Sequence, residues 1–259
     1  MECLDNMVKY LGMKIVSHEK YKRVYTYDPA SNAGRIESIL EALKGYEFVQ
    51  PEPAAEDDLL LVHTQSLIDS VKRDELVFEV ASLAAGGAIK AAQIALNEPA
   101  FGLIRPPGHH ASRDFNGGFC FFNNMAIAIT KLIQDKKINK ALIVDIDLHY
   151  GNGTYDIFGG NENIIFLNMV CQERQEYLAQ LSESLGKTKG YDIIGVSAGF
   201  DTYEKDWGRS LKTKDYKTIG SMIKEAAKSC HGRTFALLEG GYYIPDLGKN
   251  VKSFVEGLG

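Results

Sequence analysis

The 259 residues are 45% hydrophobic and 24% charged, which provides for one large α/β domain with a substantial core. No Pro/Ser-rich linker, low-complexity tract or internal repeat divides the chain, and no apolar run approaches the roughly 20 residues of a membrane helix, so neither a second domain nor a membrane partner is expected. A net charge of −5 argues against general nucleic-acid binding, and Cys3, Cys120, Cys171 and Cys230 lack Cys-x-x-Cys spacing, which argues against a disulfide framework or thiolate zinc site and points to a reducing cytoplasm.

Residues 1–12 contain acids and no continuous apolar segment, and they read as an N-terminal tail before a single domain over 13–259. Lys14 to His18 reads as a first strand and Tyr25 to Asn32 as a loop. Ile36, Ile39, Leu40 and Leu43 then recur at helical spacing, with Ser31 or Asn32 as a cap and Gly45 as a stop. Leu59 to Val71 predicts a turn and short helix, in which His63 hydrogen-bonds a loop. Glu75 to Leu96 predicts a long Ala-rich helix whose Gly86-Gly87 pair implies close packing.

Phe101 to Ile104 predicts a strand leading into Arg105-Pro106-Pro107-Gly108-His109-His110-Ala111, which is too rich in proline for regular structure. The paired histidines are either a solvated loop or part of a ligand site at a strand's C-terminal end. Asn116 to Asn124 mixes glycines with Phe119, Phe121 and Phe122, giving a pocket wall or plain core, before a helix from Met125 to Gln134.

Ala141 to Thr154 is an apolar run bearing Asp145, Asp147 and His149. It predicts a buried strand broken at Gly151 and Gly153, with the three polar groups on one face because alternate strand side chains point the same way. Charges beside a buried sheet persist only when paired, hydrogen-bonded or bound to a cation. The acids could simply meet solvent or an arginine, yet a carboxylate and an imidazole two residues apart are also competent metal ligands. Strands over Asn163 to Leu167, Tyr191 to Val196 and Arg233 to Leu238 follow, alternating with helices over Glu173 to Leu185, Lys212 to Ser229 and Leu247 to Leu258. Asp201, just past the second of these strands, is the candidate third ligand. This alternation predicts an α/β fold with a central parallel β-sheet flanked by helices on both faces.

Five segments in order, Arg105 to Ala111, Gly117 to Asn124, Asp145 to Thr154, Ser197 to Thr202 and Leu238 to Tyr242, resemble the zinc-dependent histone deacetylase family, including its acetylpolyamine-deacetylating relatives. The resemblance implies an arginase-like α/β fold and one catalytic Zn2+ held by Asp147, His149 and Asp201, a ligand set that Fe2+ or Co2+ also suits. It implies catalytic roles for His109, His110, Asp145, Asn152 and Tyr242. His109 pairs with Asp145, His110 meets Asn152 and serves as the main general base and acid, and Tyr242 donates to the acetyl carbonyl. Phe119, Gly118 and Gly241 line the substrate, expected to be an acetylated lysine peptide or a small acetylated amine.

The chain also departs from the pattern. Between His149 and Asp201 it is shorter, with no Phe-Pro-Gly segment for the opposite tunnel wall, which a neighbouring subunit of an oligomer could rebuild. Asn168 stands where relatives commonly have histidine, Tyr150 replaces a second histidine, and Phe166 stands where a serine often helps hold a structural potassium ion, leaving the carbonyls of Asp145, Asp147 and His149. Gly208 falls where a polyamine deacetylase can carry an acidic gatekeeper. The expected activity is therefore zinc-dependent removal of acetyl from a lysine side chain or related primary amine. The alternatives are an acetylpolyamine or other small-amide hydrolase and, from another class, a catalytically silent protein that binds zinc and acetylated ligands; a two-metal ureohydrolase fits the double histidine and Tyr242 less well.

Overall fold

A computed structural model describes residues 13–170 and 173–259; the tail expected over 1–12 lies outside the described residues. The chain begins with β1 (Lys14–Val16), α1 (Arg35–Ala42) and β2 (Glu47–Val49). It continues through α2 (Glu56–Leu59), α3 (Gln65–Val71), α4 (Glu75–Ile94) and β3 (Ala100–Gly102). After α5 (Asn124–Gln134) come β4 (Ala141–Asp145), α6 (Asn152–Phe158), β5 (Ile164–Asn168), α7 (Arg174–Lys187) and β6 (Ile193–Ala198). The last elements are α8 (Thr213–Ala227), β7 (Thr234–Leu238) and α9 (Ile244–Leu258).

All strand pairings are parallel, in the order β2-β1-β3-β7-β6-β4-β5. The α/β fold with helices on both faces is therefore as expected: α4 and α5 pack together on one face, and α1, α7, α8 and α9 pack as a layer on the other. Of the five inner strands, β3, β7, β6 and β4 are fully buried. Because they run in one direction, the segments leaving them converge at a single sheet edge. Those segments begin at Leu103, Ile146, Gly199 and Glu239, and the candidate site lies there.

Several local expectations needed correction. β2 was not anticipated, since its three residues are largely exposed at the sheet edge and provide no apolar pattern. The N-cap of α1 is Gly34, whose φ of +83° suits glycine, while Ser31 Oγ instead accepts the backbone N–H groups of Tyr25 and Thr26. α4 has the length and apolarity of a membrane span, contrary to the sequence reading, but it is mostly buried inside the fold. Its Gly86-Gly87 pair does mark close packing. A β-carbon on Gly86 would lie 1.9 Å from the Glu52 carbonyl oxygen, and one on Gly87 would lie 2.7 Å from Ile104.

Candidate active site

The strand expected to extend through His149 ends at Asp145. Beyond it, side chains replace the ladder: Asp145 Oδ1 accepts the Asp147 N–H at 3.1 Å, and Asp147 Oδ1 accepts the His149 N–H at 2.9 Å. Aspartate side chains readily compete in this way for a backbone N–H two residues on. The strand periodicity is lost, yet Asp145, Asp147 and His149 remain together at the sheet edge. Gly151 then starts α6, which the sequence reading missed, and α6 brings Asn152 to the site.

Asp147, His149 and Asp201 offer ligand atoms that all lie within 4.8 Å of one another. His149 Nδ1 is 3.2 Å from Asp147 Oδ1 and 2.9 Å from Asp201 Oδ2. Hydrogen bonds hold both carboxylates: Gly240 N–H donates to Asp147 Oδ2 at 2.8 Å, and Leu148 N–H donates to Asp201 Oδ1 at 3.0 Å. Asp201 Oδ2 is buried and accepts no hydrogen bond from the described residues. Its contact with His149 is thus a close charge pairing without hydrogen-bond geometry.

Burial, then the charge of Asp147, pushes Asp201 up to about 6. The adjacent carboxylates of Asp147 and then Asp201 raise His149 to about 10. Two buried acids therefore draw positive charge to one point. Glycines leave room for it, because a β-carbon on Gly199 would lie 2.0 Å from Asp147 Oδ2, and one on Gly240 would lie 2.6 Å from that atom and 2.9 Å from Asp201 Oδ2. An orphaned buried carboxylate oxygen within an Asp/His/Asp set fits a divalent cation such as zinc.

His109 and His110 pack beside this cluster with ring centroids 4.0 Å apart and 43° between their planes. His109 is buried, and its Nδ1 lies 3.0 Å from Asp145 Oδ2. Burial opposes charge on His109, but Asp145 and Asp147 overcome it and hold the imidazole well above its usual range. His110 is half-buried and meets a neutral amide, with Nδ1 2.6 Å from Asn152 Oδ1. Desolvation, then the neighbouring His109, lowers His110 to about 4. The two imidazoles are thus electrostatically distinct.

Tyr242 follows Gly241, whose φ is +117°, on the segment leaving β7. Phe119 meets the Tyr242 ring edge-on at 6.1 Å, and Trp207 stacks on it at 4.2 Å. Burial, then Asp147 and Asp201, pushes the Tyr242 phenol well above its usual value, so it remains a proton donor. Gly118 is exposed beside His110, and a β-carbon there would lie 2.3 Å from that ring. The catalytic, metal and substrate residues expected from the sequence are thus gathered in one place.

Four residues were given no role from the sequence. Glu239 Oε2 accepts the N–H groups of Gly108 and His109, anchoring the histidine segment. Arg35 donates through Nε to the Gly241 carbonyl at 2.8 Å and through Nη2 to the Glu239 carbonyl. Asp206 Oδ2 accepts the N–H groups of Tyr242 and Tyr243 at 2.6 and 2.7 Å. Glu239 could have been singled out as an acid directly following an apolar strand, and Trp207 as the chain's single tryptophan. Arg35 and Asp206 lie in ordinary sequence and have no such signal.

The departures have local explanations. His63 is buried and unavailable as a ligand, since its Nδ1 bonds the Ser112 carbonyl and its Nε2 accepts the Asn123 N–H, both at 2.9 Å. Asn168 Oδ1 accepts the Gly151 N–H at 2.8 Å, and exposed Tyr150 packs its ring near Phe166. Phe166 brings a ring where an oxygen would be needed, so it lends a potassium site no support. Gly208 has no space for an acidic side chain, because a β-carbon would lie 2.7 Å from Thr202 Cα.

Comparison with known proteins adds to this geometry. The histone deacetylase domain family matches residues 29–177 and 171–258. A probable deacetylase of Methanothermobacter thermautotrophicus is 31% identical over 284 aligned positions, covering 88% of this chain and 85% of the relative. Acetylpolyamine amidohydrolase 1 of Pseudomonas aeruginosa is 32% identical, covering 61% of this chain and 55% of its own. Among solved structures, the HDA15 HD domain superposes with a TM-score of 0.83 at 22% identity, covering 95% of this chain and 89% of the other. The archaeal alignment is longer than the chain itself, so the relative has residues that this chain lacks. The two family matches overlap at 171–177, within the His149–Asp201 interval that the sequence reading takes to be shortened.

Proposed function

Because this chain belongs to the histone deacetylase family, we propose that it is a zinc-dependent hydrolase that removes acetyl from lysine side chains or related primary amines, releasing acetate. The observation that most supports this is the Asp147/His149/Asp201 triad placed beside two histidines that differ in partner and basicity. Asp147, His149 and Asp201 would hold the ion, which when bound supplies Lewis acidity to the acetyl carbonyl. His110, neutral near pH 7, takes a proton from water at its Nε2, since Nδ1 is engaged by Asn152. The same nitrogen then delivers that proton to the departing amine. His109 stays oriented by Asp145 and adds positive charge at the site. The Tyr242 hydroxyl donates to the carbonyl oxygen as negative charge develops there.

The free thiols of Cys120 and Cys230 support a cytoplasmic setting. A small acetylated polyamine is the second candidate substrate, favoured by the absence of a Phe-Pro-Gly segment between His149 and Asp201 and by the similarity to acetylpolyamine amidohydrolase 1. Comparing kcat/KM on an acetyl-lysine peptide and on acetylputrescine separates the two. Lysine deacetylation predicts the peptide to be the better substrate, and a preference for acetylputrescine would overturn that assignment.

A further inference from the structure

Trp207 lies on the connection between β6 and α8 and is half exposed, with 49% of its surface open. Its ring stacks on Tyr242 at 4.2 Å with 30° between the planes and meets His149 edge-on at 5.7 Å. An indole thus touches both a proposed metal ligand and the proposed oxyanion donor while keeping an open surface. The backbone fixes its place. Asp206 Oδ1 accepts the Trp207 N–H at 2.8 Å, while Asp206 Oδ2 binds the Tyr242 and Tyr243 N–H groups, tying the two loops together. Gly208 N–H donates to the Asp201 carbonyl at 2.7 Å, closing the connection back onto a proposed metal ligand.

Residues 169–173, which link β5 to α7 in the sequence, contain no aromatic residue. The two family matches overlap at 171–177, beginning within this connection. We propose that Trp207 supplies the aromatic wall absent from the β5–α7 connection and, by stacking on Tyr242, acts as the positioning residue for its hydroxyl. Asp206 and Arg35 fix the backbone of the Tyr242 loop, whereas the Tyr242 side chain is oriented by the rings of Phe119 and Trp207 that pack on it. Phe119 and Trp207, both packed on Tyr242, then flank the slot that receives the apolar stem of an acetylated lysine. This assignment rests on the deacetylase reading.

Trp207 is the single tryptophan, so indole emission excited beyond tyrosine absorption reports on this wall alone. Zinc-loaded His110→Ala protein is titrated with acetyl-lysine peptide by fluorescence and by calorimetry. The expected result is a saturable emission change that tracks the calorimetric isotherm, with binding about tenfold weaker in the Trp207→Ala form and close to parental in the Trp207→Phe form. In the active enzyme, Trp207→Ala should lower kcat about tenfold, and this loss should vanish when Tyr242 is already phenylalanine. Peptide binding without an emission change, or an equal kcat loss in both Tyr242 backgrounds, would overturn the proposal alone. No calorimetric binding to the His110→Ala protein would overturn the deacetylase reading and the Trp207 assignment with it.

Discussion

His110 Nδ1 lies 2.6 Å from Oδ1 of Asn152, whereas the adjacent His109 faces the carboxylate of Asp145. An amide orients an imidazole without stabilising its charge, so the partner sets which histidine is free to accept a proton. Asn152→Asp would give His110 a charged partner and raise its pKa. A base must be unprotonated to act, so the acid limb of the kcat/KM profile should move upward by about 1–3 pH units. Measuring the profile for both proteins tests this, and an unmoved limb would contradict the role of His110.

Asp201→Ala removes the one ligand whose Oδ2 accepts no hydrogen bond from the described residues, and zinc retention should be lost. Gly240→Ala acts indirectly, since its new methyl would press on Asp147 and Asp201. Its zinc affinity should fall about 10- to 100-fold, as for loss of an outer support. Competition with a chromophoric chelator measures both, and parental affinity in both variants would contradict the ligand assignment.

Tyr242→Phe keeps the ring that packs between Phe119 and Trp207 and deletes only the hydroxyl. Folding and zinc content should be preserved while kcat falls by about two to three powers of ten. Single-turnover acetate release on metal-matched samples checks this; a loss below tenfold would remove Tyr242 from the chemistry.

His63 gives a pH dependence of stability at a distance from the ligand set. Burial lowers its pKa from 6.5 to about 4, and its Nε2 accepts a backbone N–H only while neutral. Between those values the unfolded chain binds more protons than the folded one, so stability is lost as pH falls from 6.5 towards 4, by at most about 3 kcal/mol. His63→Gln can keep both hydrogen bonds without titrating. Urea unfolding at neutral pH and at about pH 4.5 should show a smaller pH effect in the variant; an equal effect would contradict this assignment.

Much of this organisation was legible because strand–helix alternation is a strong pattern and parallel strands deliver their loops to one edge. The order of chemical groups from His109 to Tyr242 could therefore be mapped onto the fold. The course of the chain between Asp145 and His149 was harder to foresee. There, side-chain hydrogen bonds replace strand pairing, an outcome that apolar alternation does not encode. Arg35 and Asp206 escaped for a related reason. They act on Gly241, Tyr242 and Tyr243 across long sequence separations, through backbone atoms common to every residue.

The most direct test is acetate release from an acetyl-lysine peptide by zinc-loaded protein, by chelator-treated protein with and without zinc restored, and by zinc-loaded His110→Ala protein. The account predicts equimolar acetate and free amine, abolished by metal removal, regained with zinc, and absent from the His110→Ala sample. Undiminished acetate release after chelation, or from His110→Ala, would contradict metal-dependent hydrolysis with His110 as its base.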